Sequence, residues 1–107
     1  MSDMIVVTSE SIPGRRVKEV LGIVSGTSIP TRHLGRDITA AFKNIAGAHL
    51  GEYEKLIESA KIDSLVKMKK EAEKLEADAI ICARLGTAQI MSGAAEITWY
   101  GTAVKLE

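Results

Sequence analysis

The sequence predicts an α+β domain in which a sheet of long strands is backed by helices. Two observations predict it: apolar, β-branched stretches lie near both ends of the chain, and an amphipathic pattern with a repeat of three to four residues fills the middle. The 107 residues have the length of about one domain. Because no repeat, low-complexity segment or long linker interrupts them, we interpret residues 1–107 as a single domain.

Two strands are predicted before the helices. The first covers Met4 to Thr8, where the β-branched stretch MIVVT is followed by the turn-forming residues SESIPG. The second covers Val17 to Ile29 and is rich in valine and isoleucine. Gly22 and Gly26 interrupt it, as expected for a long strand that bends or that another backbone approaches closely.

Two helices are predicted next. The stretch RDITAAFKNIAG, residues 36–47, places apolar residues on one stripe, and its final glycine is suited to end a helix. A longer helix is predicted from about Glu52 to Glu76, with glutamates and lysines opposite its inward stripe. That stripe consists of Tyr53, Ile57, Ala60, Ser64, Met68, Ala72 and Leu75.

A β-hairpin is predicted at the end of the chain. Residues 78–90 return to strand character, MSGAA supplies a turn, and residues 96–106 alternate well enough for a last strand. The predicted order is therefore strand, strand, helix, helix, strand, strand.

Composition excludes several classes of protein. Apolar residues make up 46% and charged residues 26%, which is typical of a folded globular protein. The 14 basic and 14 acidic residues cancel, so we expect no nucleic-acid partner. Cys82 is the single cysteine, no uninterrupted apolar stretch approaches the roughly 20 residues that span a bilayer, and no signal peptide is recognisable. We therefore expect a cytoplasmic protein without an internal disulfide or a membrane contact.

The predicted elements are long for so short a chain. A helix of about 25 residues is about 37 Å long, whereas a compact chain of this length has a radius of gyration of about 13 Å. In the last strand, Ile97, Trp99 and Ala103 point to one side, and Tyr100, Val104 and Leu106 point to the other. Because both faces of the sheet need cover, we expect a homo-oligomer that closes into a ring.

The stretch IVSGTSIPTRHLGRDI, residues 23–38, is the first candidate site. It lacks the Walker pattern G-x-x-x-x-G-K-[ST] of a phosphate-binding loop. Arg32, His33 and Arg36 precede a predicted helix, whose first amides attract anions. The interpretation that we favour is a corner between strand and helix with solvated arginines.

Metal binding and catalysis have little support in the residue pattern. His33, His49 and Cys82 lie far apart and in no recognised ligand spacing, so we expect no metal and no cofactor. Cys82 lies in the apolar stretch AIICA and is predicted to be a buried core thiol. We expect that the protein is not an enzyme. The alternative is an enzyme that uses residues at a subunit interface, such as Glu52 and Tyr53.

Three stretches carry a family resemblance: EVLGIVSGTSI, residues 19–29; GEYEKLIESAKIDSLVKMKKEAEKLEADAII, residues 51–81; and YGTAVKL, residues 100–106. Together they resemble the YbjQ-like family, uncharacterised small proteins often labelled as heavy-metal-binding. The resemblance implies a two-layer, dodecin-like β-α-β-β unit with an antiparallel sheet, assembled as a homopentamer. It implies no established reaction.

The chain departs from this family where metal binding would need support. Residues 83–87 read ARLGT, where family members commonly carry carboxylates, and His49 stands in a variant position. We therefore expect a non-enzymatic oligomeric module that binds a small ligand or a partner, with Arg32, His33, Arg36 and His49 as candidate ligand-binding residues. The alternative is a heavy-metal site formed between subunits by His33, His49, Cys82 or glutamates.

Overall fold

A computed structural model describes residues 4–29, 50–91 and 94–107. The elements are β1 (Ile5–Val6), β2 (Val17–Ser28), α1 (Leu50–Lys74), β3 (Ala79–Met91) and β4 (Ala94–Leu106). The predicted α+β class and the β-α-β-β order from β2 to β4 are confirmed. The helix predicted at residues 36–47 lies outside the described residues.

The four strands form one sheet in the order β1-β3-β4-β2. β4 is antiparallel to both β2 and β3, whereas β1 is parallel to β3. The antiparallel sheet that the resemblance implies for the β-α-β-β unit is found in β2, β4 and β3, whereas the additional strand β1 makes the four-stranded sheet mixed. β1 and β2 run in the same direction at opposite edges, so the chain between them has to cross the sheet. Three strand spacings of about 4.8 Å need about 14 Å, which ten residues span easily.

α1 covers one face of the sheet, mainly over β2 and β4. Its buried stripe repeats every four residues, at Ala60, Ser64, Met68 and Ala72. The spacing places these residues on one side of the helix, as the sequence pattern predicts. The main core cluster joins this stripe to the sheet through Val24, Met68, Ala72, Ile80, Ala83 and Ala103.

The segment that connects β1 to β2 covers part of the opposite face. Ile12 packs there with Ala79, Val104 and Leu106 in a second cluster. The amide of Arg15 donates to the carbonyl of Ile12 at 3.0 Å, and Gly14 between them has a φ of 82°, which suits the third position of a type II turn after proline. The connection thus closes the end of the sheet next to β1.

The protein is elongated. Its Cα radius of gyration is 16.7 Å and its extents are 54 × 23 × 22 Å, compared with about 13 Å expected for a compact chain of this length. Long elements cause this shape, because β3 and β4 have 13 residues each and α1 has 25. Within the described residues, no helix combines the length and apolarity that a bilayer crossing requires.

Candidate functional site

The residues predicted to bind a ligand lie outside the described part of the chain. Arg32, His33, Arg36 and His49 all fall between residues 30 and 49. Glu52 and Tyr53 lie in the first turn of α1. The anion-binding prediction therefore stays a prediction, and the described surfaces have to be considered separately.

Cys82 is not the buried core thiol that the sequence predicts. It is only partly buried and has a φ of 55°, and the register of β3 against β4 shifts between Ile81 and Arg84. A bulge of this kind breaks the alternation of side chains along a strand. Ala83 takes the fully buried position instead, because the extra residue turns Cys82 away from the core.

The described residues do not fit a metal centre. No group of three or more His, Cys, Asp or Glu side chains is found within residues 4–29, 50–91 and 94–107. Three carboxylates of α1 instead form ion pairs with lysines of the same helix: Glu58 with Lys61, Asp63 with Lys67, and Glu71 with Lys74. This part of the chain therefore supplies no prearranged ligand set.

A groove of about 710 Å³ runs between the outer edge of β2 and one side of α1. We call it the α1–β2 groove. Its strand wall is residues 23–27, and its helix wall is Lys67, Lys70, Glu71, Lys74 and Leu75. Lysine spacings of three and four residues place the three amines on one side of the helix, so the groove carries an excess of positive charge.

Lys67 is fixed against the strand. Its ammonium donates to the carbonyl oxygen of Thr27 at 3.0 Å and pairs with the carboxylate of Asp63 at 3.0 Å. The hydrogen bond from Lys67 is the main cause of a lowered pKa of Asp63, and partial desolvation opposes it. A hydrogen bond with Ser28 and the charges of Lys67 and Lys70 lower this pKa further.

The other two lysines differ in their partners. Lys74 pairs with Glu71 at 3.1 Å, whereas Lys70 forms no ion pair within the described residues. Lys70 acts on Asp63 through its charge alone, so it is a cation beside the groove that no close ion pair engages within the described residues.

Among the residues that the structure describes, nothing covers the sheet face opposite α1 beyond the region of Ile12. Ile23 is 82% exposed and Val20 is 63% exposed on this face. Trp99 packs towards α1 while Tyr100 is 46% exposed, which confirms that these neighbours point to opposite sides. We call this surface the bare face; it consists of Val20, Ile23, Ser25 and Thr27 of β2 and Thr98, Tyr100 and Thr102 of β4.

These features define a small α+β protein whose described residues present open surfaces on a helix-backed mixed sheet. The sequence profile of the YbjQ family, described as "Putative heavy-metal-binding", matches residues 4–107. The chain belongs to this family, as the resemblance predicts.

Relatives match this chain over nearly their whole length. A UPF0145 protein of Thermotoga maritima is 56% identical over 104 residues, covering 97% of this chain and 98% of the relative. A UPF0145 protein of Archaeoglobus fulgidus is 45% identical over 104 residues, covering 97% and 96%. Both matches span nearly the whole of each chain.

A solved structure shares the fold. It is a protein of unknown function from Pediococcus pentosaceus, assigned to the DUF74 family, with a TM-score of 0.52 and 21% identity over 99% of this chain and 100% of that one. At this identity the likeness shows the fold alone.

Proposed function

We propose that the protein is a non-enzymatic, cytoplasmic module that works as a homo-oligomeric ring and binds a small ligand or a partner protein. The observation that carries this proposal is the bare face. The described part of one chain leaves large aliphatic side chains of a long strand exposed, and a neighbouring copy would cover them.

Exposed aliphatic side chains make this surface suited to association. Ile23 and Val20 lie on the same side of β2, with Tyr100 beside them on β4. Fully burying an aliphatic side chain contributes about 1.5–3 kcal/mol. Mostly exposed Ile23 and Val20, repeated in every copy, would therefore provide a substantial driving force for assembly.

A ring of five copies is the form that the family resemblance implies. Closed rings arise when one surface of a subunit contacts a different surface of the next. The elongated shape supports such an arrangement, because long strands expose different surfaces at their two sides. The same proposal includes a ligand-binding role for Arg32, His33, Arg36 and His49. Identifying a ligand that co-purifies with the assembly tests this role.

Size-exclusion chromatography with light scattering tests the assembly surface. Ile23→Asp places a charge on the bare face and is expected to lower the mass of the assembly or to produce the single chain of 11.5 kDa. Ile62→Asp is the matched control, since Ile62 is 60% exposed on α1. Equal masses for wild type and Ile23→Asp would refute the role of the bare face.

Metal binding is the second candidate, and the family description favours it. If His33, His49 and Cys82 of neighbouring copies form a site, protein purified without a histidine tag will contain a stoichiometric metal by elemental analysis. His49→Ala would then remove the metal. A metal-free wild-type assembly that also fails to bind added zinc or copper would eliminate this candidate.

A further inference from the structure

The α1–β2 groove combines two features that do not involve the exposed side chains of the bare face: the main-chain edge of β2 and a row of lysines on α1. β2 is the last strand of the sheet, so one of its edges has no neighbour within the described residues. Such an edge presents main-chain donors and acceptors to which an extended chain can pair.

The hydrogen bonds of β2 show which of its residues face this open edge. The carbonyl of Thr27 accepts from Lys67 and therefore points away from β4. The hydroxyls of Thr27 and Thr98 lie 2.9 Å apart, as expected for a pair whose main chains do not bond to each other and whose side chains lie closer. By alternation, the peptide groups of Ile23 and Ser25 also point outward into the groove.

The lysines lie along the same groove at a spacing that suits a strand. The helix rises by about 4.5 Å from Lys67 to Lys70 and by about 6 Å from Lys70 to Lys74. Side chains on one face of an extended segment repeat at a similar distance, about 6.6–6.8 Å. Lys70 forms no close ion pair within the described residues and acts on Asp63 only through its charge. Alternate acidic side chains on an added strand would therefore meet Lys70 and Lys74.

The strands of this chain do not have that pattern. β3 contains no acidic residue, β2 contains only Glu19, and β4 contains only Glu96. A strand from a second copy would bring almost no negative charge to the lysines. Charge complementarity thus favours a segment from a different protein.

We propose that the α1–β2 groove binds an extended acidic segment of a partner protein, which adds to the free edge of β2 and places alternate carboxylates on Lys70 and Lys74. Main-chain pairing with Ile23 and Ser25 supplies affinity for any extended segment, and the lysines select acidic ones. The groove shares Ile23, Ser25 and Thr27 with the bare face. It uses their main-chain groups at the strand edge, whereas the bare face uses their side chains, so the proposal does not depend on the ring.

Fluorescence anisotropy with a labelled octapeptide of alternating threonine and glutamate tests the proposal. Wild-type protein binds this peptide, binds the threonine–lysine counterpart at least about tenfold more weakly, and loses affinity as salt rises. Lys70→Glu combined with Lys74→Glu weakens binding by about tenfold or more. Lys55→Glu, an exposed lysine of α1 outside the groove, is the matched control and leaves binding unchanged.

Two methylated peptides separate strand addition from simple anion binding. One carries N-methyl groups on its threonine amides and the other on its glutamate amides, so that each blocks one edge of the added strand. Strand addition predicts that one of the two loses binding and the other retains it. Equal binding of the two methylated peptides would overturn the proposal, as would an equal loss of peptide affinity in the Lys55 and the Lys70/Lys74 variants. Failure of the wild-type protein to bind the acidic peptide would also overturn it, and would mean that the lysines only protect the strand edge from pairing with other chains.

Discussion

At the scale of single residues, Gly26 is the described glycine at which an added Cβ would meet the nearest atoms. A Cβ atom there would overlap the carbonyl oxygen of Ser64 and the amide nitrogen of Met68, and it would lie 2.8 Å from the Cβ of Lys67. The glycine lets α1 approach the strand closely. It is the backbone approach that the sequence pattern of β2 predicts.

Gly26→Ala is expected to lower the free energy of unfolding by about 2 kcal/mol or more, because helix and strand have to separate to admit the methyl group. Urea denaturation at fixed protein concentration measures the change. Gly86→Ala is the matched control, since its Cβ would be 3.9 Å from Tyr100 in ordinary contact. A loss of the same size in both variants would show that the approach at Gly26 is not what limits substitution.

Asp63 gives a pH-dependent prediction. Its pKa is lowered, chiefly by the hydrogen bond from Lys67, compared with about 3.9 for an unfolded aspartate. A group whose pKa is lower in the folded protein than in the unfolded chain stabilises the fold at pH values above the unfolded pKa. This stabilisation disappears as the pH falls through the pKa of the folded state. Asp63→Asn therefore lowers the free energy of unfolding at pH 7, by less than about 1 kcal/mol because the pair is exposed to solvent.

The difference between Asp63→Asn and wild type is expected to shrink as pH falls below the unfolded value. Urea midpoints at pH 7 and at about pH 2.5 measure it, below the unfolded aspartate value of about 3.9. Glu73→Gln, at an exposed residue of α1 without an ion pair within the described residues, serves as control. A difference of constant size at both pH values would contradict the assigned role of the Asp63 carboxylate.

At the scale of elements, α1 packs on the sheet through one side in the part of the chain that the structure describes. Met68 is fully buried between β2 and β4, whereas Val66 on the outer side is 42% exposed. Met68→Ala is expected to cost about 2–5 kcal/mol of unfolding free energy through the cavity that it leaves. Val66→Ala is expected to cost less than about 1 kcal/mol. Similar losses would mean that α1 is not anchored through its inward stripe.

Local patterns in the sequence predict most of the described elements. The stripe on residues 52–76 and the alternation in residues 96–106 are strong, so α1 and β4 are found within a few residues of their predicted bounds. These patterns depend only on which side of an element faces the core, and neighbouring residues reveal that side.

Contacts between distant residues could not be predicted in this way. β1 is two residues long and pairs with Ala79 and Ile80, more than seventy positions away, and nothing in MIVVT determines the direction of that pairing. The bulge at Cys82 is equally hidden, because AIICA reads as an uninterrupted buried strand. The fold of the whole sheet decides both features.

The candidate surfaces were only partly foreseeable. The lysines of α1 alternate with carboxylates in the sequence and are typical of a solvated helix face. Their relation to the open edge of β2 exists only in three dimensions, through the hydrogen bond from Lys67 to Thr27. The sequence-predicted set of Arg32, His33, Arg36 and His49 lies outside the described residues, and its role stays a prediction.

At the scale of the whole molecule, the length of the elements and the size of the core are mismatched. The chain extends over 54 Å, and within the described ranges the cover of the sheet face opposite α1 is the connection through Ile12, at one end. Strands of 12 and 13 residues continue beyond it with Ile23 and Tyr100 exposed. A neighbouring copy is the cover that this geometry favours.

Native mass spectrometry of the untagged wild-type protein at micromolar concentration tests this self-assembly most directly. We expect a complex of about five times the 11.5 kDa mass of the chain. A protein that stays at the mass of one chain under these conditions would contradict it.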